Sequence, residues 1–316
     1  AKGRGPGPVK SFSEANENYK RGMAFTAGRI DALGLVAGIW LMPFAGDYRS
    51  AYFADKQDLF AHWPDGTPIE DVRWSGTLLD MTNPATEQFV FDRTKRIYDW
   101  GYRYFKLDGM HTGAVTHNVY VNTDWTSGGY KNTENFIGTP EAPGKSASST
   151  PSTGLRDPAK THIEAYRMGM DTVRRAAPEA FILGCNVSQN MRSMGAAFDK
   201  IDAMRIGPDN GSAGRGDWGA VIKGARHGSN LYFLNNRVWH NDPDPVYVRP
   251  SNPLESARWM VSWVAVAGSM VTTSYQFAEL PSKRLDLVKR MLPSHTLKPR
   301  PVDCLENSKP QIWLLT

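Results

Sequence analysis

Tyr102-Arg103-Tyr104-Phe105-Lys106-Leu107-Asp108-Gly109 is the stretch from which the rest of the chain can be read. Aromatic residues at 102, 104 and 105, followed by a lysine, an aspartate and a glycine, mark a short buried strand that ends on charged groups. In a barrel of parallel strands, side chains at the carboxyl end of a strand project into a shared mouth, and Asp108 stands at such an end. Burial among aromatic rings opposes a carboxylate charge. Lys106, two positions earlier on the same face, favours it. An ionised, poorly hydrated carboxylate is what a nucleophile needs. The alternative is that Asp108 caps the following turn, with Gly109 at positive φ.

A second acid shifts the balance toward chemistry. Ala203-Met204-Arg205-Ile206-Gly207-Pro208-Asp209 is another short strand ending in an aspartate, with an arginine four residues before it. Phe181-Ile182-Leu183-Gly184-Cys185-Asn186 reads as a further strand between the two.

Composition narrows the class. The 316 residues are long for one ordinary domain and normal for a (β/α) barrel. Hydrophobic residues at 41% and charged residues at 22% are those of a globular protein, and 10 Trp with 12 Tyr suit stacking on sugars as well as core packing. The net charge of +5 comes from scattered Lys and Arg, which argues against nucleic acid or a membrane surface as partner. Cys185 and Cys304 are the only cysteines, without metal-ligand or disulfide-framework spacing. No run reaches the ~18 apolar residues of a membrane span. The opening Ala1-Lys2-Gly3-Arg4-Gly5-Pro6 has no apolar core and is not a signal peptide. The compartment stays open, and secretion or a periplasmic home for the full-length protein is compatible with the sequence. Oligomeric state is likewise open.

Along the chain, helix and strand alternate. A helix is expected over 13–33, capped by Gly34, and a strand over 35–44 whose end, Trp40 to Asp47, supplies a candidate pocket wall. An irregular stretch over 47–81 carries His62, Trp63 and Trp74. Asn83-Pro84 starts a helix that runs to Gly101, and Asp157-Pro158 starts another, with Ile163, Tyr166, Met170 and Val173 on one face. Between them, 110–156 has little periodicity, and Asp124 and Trp125 there are candidates for a lid. Further strands are expected over 231–235 and 269–275, and further helices over 218–226, 254–267 and 280–291. Trp239-His240-Asn241-Asp242-Pro243-Asp244-Pro245 reads as a polar loop, whose turn chemistry explains the aspartates better than a bound cation does. The glycines over 210–216 fit no nucleotide fingerprint.

Such alternation without hairpin signals predicts an α/β fold with a parallel sheet covered by helices. Six strands are expected, near 36, 103, 181, 202, 231 and 270. A closed (β/α)8 TIM barrel needs two more, which would precede Ala1. The expected layout is a catalytic barrel over 1–298 lacking its first two strands, followed over 299–316 by the start of a second domain.

Lys106-Leu107-Asp108-Gly109 and Arg205-Ile206-Gly207-Pro208-Asp209 resemble the paired signatures of the α-galactosidase clan of glycoside hydrolases, families 27 and 36. Gly38-Ile39-Trp40-Leu41-Met42-Pro43-Phe44, the Cys185 strand end, Asn241-Asp242-Pro243-Asp244 and Arg300-Pro301-Val302-Asp303 are similar in order and place. The resemblance spans nearly the whole chain. It implies barrel strands three to eight, with 311–315 opening a C-terminal β-sandwich. It also implies a retaining exo-α-glycosidase acting on an oligosaccharide or glycan, with Asp108 as nucleophile and Asp209 as acid/base. Lys106 and Arg205 would serve these two carboxylates, and Trp40, Asp47, Cys185 and Asn186 are further candidates for sugar contacts. No cofactor or metal is called for. The clan's bacterial members follow this cysteine with glycines, in a loop that faces carbon 2 of the sugar in that clan, whereas Cys185-Asn186-Val187-Ser188 stands here. That departure opens an α-N-acetylgalactosaminidase as alternative to an α-galactosidase. A transglycosylase, and a carbohydrate-binding barrel without turnover, are further readings.

Overall fold

The structure, a computed structural model, describes residues 19–70, 76–114, 154–185, 194–207, 209–210, 218–273, 275–295, 297–307 and 310–316. The described residues up to Ile201 form one compact unit, and those from Asp202 to Thr316 form a second.

In the first unit, helix α1 (Met23–Asp31) stops where Gly34, at φ 73°, donates its N–H to the Asp31 carbonyl at 2.8 Å. Strand β1 (Gly38–Leu41) follows. Strands β2 (Ala45–Gly46) and β3 (Thr77–Leu78) make a small antiparallel pair. Helix α2 (Pro84–Asp99) begins with Asn83, whose side chain accepts from the Ala85 N–H at 3.0 Å while Pro84 occupies a position that needs no donor. Val90 and Ile97 bury its inner face.

Gly101, at φ 100°, turns the chain into strand β4 (Tyr104–Leu107), where Phe105 and Leu107 are fully buried and Tyr104 and Lys106 are not. That alternation is the period of two of a strand with two different faces. Helix α3 (His162–Ala176) carries a reciprocal cap, Thr161 with Glu164, and buries Ala165, Tyr166, Met170 and Val173. Strand β5 (Phe181–Gly184) completes a parallel ladder in which Gly38 pairs with Tyr104 and Tyr104 with Phe181. Phe44 is a fully buried core ring of this unit. It lies against Tyr166, and a Cβ at Gly113 or Gly169 would come within 2.6 or 2.7 Å of it.

The second unit opens with strand β6 (Ala203–Arg205), passes through helix α4 (Trp218–Asn230), and returns as strand β7 (His240–Asp242), parallel to β6 with Arg205 opposite Asp242. Helices α5 (Leu254–Ala267) and α6 (Ser282–Met291) follow. Val221, Val246, Val248, Met260, Val264 and Met291 lie together in its core. The buried Arg284 donates to the carbonyls of Val248, Arg249 and Asn252 at 3.2, 2.8 and 2.6 Å, tying down the chain between β7 and α5. Strands β8 (Pro299–Pro301) and β9 (Trp313–Leu315) pair antiparallel.

Several expectations are corrected. The strand expected over 231–235 is a single 3-10 turn, Tyr232–Leu234, because Leu231 and Leu234 are buried while Phe233 is exposed, a period of three rather than two. The strand lies instead in the polar run, at His240–Asp242, where Asn241 and Asp242 are buried. Asn241 donates through Nδ2 to the Leu231 carbonyl at 3.1 Å and accepts from the Trp239 indole at 3.0 Å, so its polarity is satisfied inside. The strand expected over 269–275 is reduced to one bridge, Val246 with Thr273. Helix α3 starts at His162 rather than at 158, because Asp157 closes a tight turn by accepting from the Ala159 N–H. Ile163 lies on the side of α3 that carries Tyr166 and Met170, yet it is exposed in the helix's first turn. The candidate lid residues Asp124 and Trp125 lie outside the described residues.

Candidate active site

Asp108 follows β4 directly. Its N–H donates to the Leu41 carbonyl at 2.9 Å, so the ladder between β1 and β4 continues one residue beyond Leu107 and carries the carboxylate to the strand's carboxyl end. Oδ1 accepts from the Gly109 N–H at 2.8 Å, and Oδ2 from the Trp40 indole N–H at 3.0 Å. Gly109 has φ 59°, and a Cβ there would come within 2.7 Å of the Met42 methyl, so the turn after the acid requires glycine. The capping reading of Asp108 therefore holds, and the Trp40 indole is joined to the same carboxylate.

Register explains why these groups meet. Trp40 pairs with Lys106 and Lys106 with Leu183, so their side chains leave one face of the ladder, the face to which Asp108 and Cys185 also belong by parity. Cys185 is buried and unoxidised, its N–H donating to the Leu107 carbonyl at 2.8 Å and its carbonyl accepting from the Met110 N–H. Lys106 shares the face, yet among the described residues it makes no ion pair. Among the donors on Asp108 are an indole and a backbone amide. Both orient a carboxylate without neutralising it.

Asp47 is a different case. Its side chain is exposed and accepts from the Arg49 N–H at 3.1 Å, the geometry of a local turn rather than of a pocket wall. Asn186 lies outside the described residues.

The second unit holds the other acid. Arg205, at the end of β6, is buried, and its guanidinium divides between two carboxylates. Nη2 donates to Asp209 Oδ1 at 2.7 Å, and Nη1 pairs with Asp244 Oδ1 at 2.8 Å. The two acids differ sharply in setting, since the Asp209 side chain is 80% exposed and that of Asp244 6%. Asp244 Oδ2 accepts from the Asn210 N–H at 2.7 Å, its own N–H donates to Asp242 Oδ1 at 3.0 Å, and Asn210 Nδ2 donates to the Pro243 carbonyl at 2.8 Å. Asp244 has φ 78°, and the proline before it fixes the entry to this turn.

Burial pushes the Asp244 carboxyl up to about 6. Arg205 and the Asn210 N–H oppose that rise, and the charges of Asp209 and Asp242 reinforce it. Sequence reasoning saw the Asn-Asp-Pro-Asp run and passed over Asp244 as a functional residue. The available signal was a second acid in a run that the fold turns back toward Arg205. Among the described residues, no group of His, Cys, Asp or Glu has metal-site geometry.

No known family profile matches the sequence. Among solved structures, the chain is similar to an α-galactosidase of Thermus thermophilus in complex with p-nitrophenyl α-D-galactopyranoside, with TM-score 0.66 and 22% identity over 92% of this chain and 55% of that one. It is also similar to a GH27 β-L-arabinopyranosidase of Geobacillus stearothermophilus, with TM-score 0.56 and 11% identity over 85% of this chain and 55% of that one. A GH36 α-galactosidase of the same organism gives TM-score 0.52 and 12% identity over 91% of this chain and 36% of that one. The likeness establishes the fold as the α/β, (β/α)-barrel type of the α-galactosidases. The chain spans about 55% of the length of the first of these structures.

Proposed function

We propose that the protein is a retaining exo-α-glycosidase that removes terminal α-linked galactose from oligosaccharides. The observation that carries this reading is the setting of Asp108: a buried carboxylate at the carboxyl end of a parallel strand, oriented through one oxygen by an indole N–H and through the other by a backbone amide. It is the arrangement a nucleophile requires, in a fold shared with an α-galactosidase captured with a nitrophenyl α-galactoside and with stachyose. Trp40 is half exposed as well as bonded to Asp108, so its ring is available for stacking on a sugar face.

In this reading Asp108 attacks the anomeric carbon while Asp209, protonated, gives its proton to the departing oxygen. Water deprotonated by Asp209 then attacks the glycosyl ester, releases Asp108 and leaves the sugar with its original configuration. Retention requires the two carboxyl groups to lie about 5–5.5 Å apart around one bond. Two carboxyl groups and water balance both steps. Lys106 binds a sugar hydroxyl from the same ladder face.

The test is hydrolysis of p-nitrophenyl α-galactoside, α-N-acetylgalactosaminide and β-L-arabinopyranoside by the full-length protein, with the first-formed anomer read by NMR. The expected result is turnover of the α-galactoside with α-galactose appearing first, and loss of turnover by at least ~10³-fold in Asp108→Ala. Preference for the N-acetylated sugar would replace galactose as the substrate. First appearance of the β-anomer would rule out retention.

A further inference from the structure

An arginine bonded to a general acid poses a chemical problem. A guanidinium 2.7 Å from a carboxylate favours its ionised form, whereas the acid that protonates a leaving group has to hold its proton until the bond breaks. Arg205 is buried, so solvent screens its charge poorly, and Asp209 would lie in the field of one uncompensated cation. Asp244 changes that field. It pairs with the same guanidinium through Nη1 at 2.8 Å, while the exposed Asp209 takes Nη2.

On the basis of the glycosidase reading above, we infer that Asp244 is a positioning residue for the acid step: it fixes the Arg205 guanidinium and compensates its charge, so that Asp209 can carry the proton required by the departing oxygen. The surroundings are built for this. Asp244 is anchored by the Asn210 N–H at 2.7 Å and by its own N–H on Asp242 at 3.0 Å. Asn210 is the residue next to Asp209, so the anchor and the acid move as one segment. Gly224 of α4 leaves room for this segment, since a Cβ there would come within 2.3 Å of Asn210 Oδ1. The charged and titratable groups facing Asp244 are Arg205 from β6, Asp209 just beyond it, Asp242 from β7, and Tyr247, whose phenol is pushed up by burial and by the charge of Asp244. With its own carboxyl at about 6, Asp244 is charged at neutral pH, when the compensation is needed.

The experiment compares wild type with Asp244→Asn in the full-length protein, reading kcat/KM against pH for phenyl α-galactoside, a poor leaving group, and for 2,4-dinitrophenyl α-galactoside, which departs without a proton. Removing the charge takes away the carboxylate that Arg205 Nη1 pairs with and leaves the ion pair to Asp209 in place. The alkaline limb for the phenyl substrate is expected to move down by about one pH unit, with roughly tenfold loss at pH 8, while the dinitrophenyl substrate changes less than about threefold. An equal loss on both substrates at every pH would mark Asp244 as merely structural and overturn the inference. Asp244→Glu keeps the charge and is expected to keep the limb in place, so a limb displaced in that variant also overturns it, even where the Asn variant fails to fold. Asp209→Asn separates the two levels. If it leaves phenyl galactoside hydrolysis intact, the acid/base assignment falls and takes the inference with it, whereas loss in Asp209→Asn with an unmoved limb in Asp244→Asn overturns the inference alone.

Discussion

Trp40 and Asp108 are 68 residues apart and joined by one hydrogen bond of 3.0 Å, from the indole N–H to the carboxylate. A hydrogen bond to a charged group contributes about 1.5–3 kcal/mol, which corresponds to roughly 10–100-fold in rate where it orients a reacting carboxylate. Trp40→Phe keeps a ring and removes the N–H. The expected result is a fall in kcat/KM of that size with little change in Tm, because Trp40 is already half exposed. Unchanged activity would remove the indole from the account. Asp244 gives a second prediction at this scale, with a definite sign. Its carboxyl rises from the ordinary 3.8 to about 6 on folding, so between those values the folded chain holds a proton that the unfolded chain has released. The contribution to stability is fully present below about pH 4 and is lost as pH rises through 6, on the order of 3 kcal/mol in all. The stability of Asp244→Asn relative to wild type should therefore improve from pH 4 to pH 7 in urea titrations. A flat difference would contradict the assignment.

Among the elements, two helical glycines should respond oppositely to the same change. Alanine is the better helix former by about 0.8–1 kcal/mol. Gly28 in α1 has nothing within 4 Å of a new Cβ among the described residues, so Gly28→Ala should raise stability by about that amount. Gly169 in α3 faces the Phe44 ring, which a new Cβ would meet at 2.7 Å, and overpacking a core costs about 1–3 kcal/mol, so Gly169→Ala should lower stability. Chemical denaturation of both variants decides, and a gain at Gly169 would contradict the packing described for Phe44. Elements whose local signals were strong were legible in the sequence. Asn83-Pro84 begins α2, and the aromatic run before Asp108 is β4. What escaped was polarity made tolerable by partners distant in sequence. His240–Asp242 is a strand because Asn241 is satisfied by Leu231 and Trp239, and no local pattern encodes that. The apolar run beside it has a strand's local pattern for the converse reason. Of the site, the acids Asp108 and Asp209 and the bases Lys106 and Arg205 stood out by spacing from strand ends. Asp244 did not, because its importance lies in burial and in a guanidinium 39 positions earlier in the chain.

On the scale of the whole molecule, the fold and the chemistry rest on different kinds of support. Parallel ladders, helices between strands and the likeness to α-galactosidases fix the architecture. Barrels of this kind carry many reactions, so the function has to come from the acids themselves. Nothing in the described residues is long and apolar enough to cross a membrane as a helix, and the net charge over the 316 residues is a modest +5. A neutral sugar recognised by shape, stacking and hydrogen bonds agrees with both observations. The most direct test of the central claim is covalent trapping: incubate the full-length protein with 5-fluoro-α-galactosyl fluoride, digest it, and locate the added mass by tandem mass spectrometry. The account predicts one fluorogalactosyl ester, on Asp108. A label on any other residue, or a protein that consumes the reagent without ever being labelled, would contradict it.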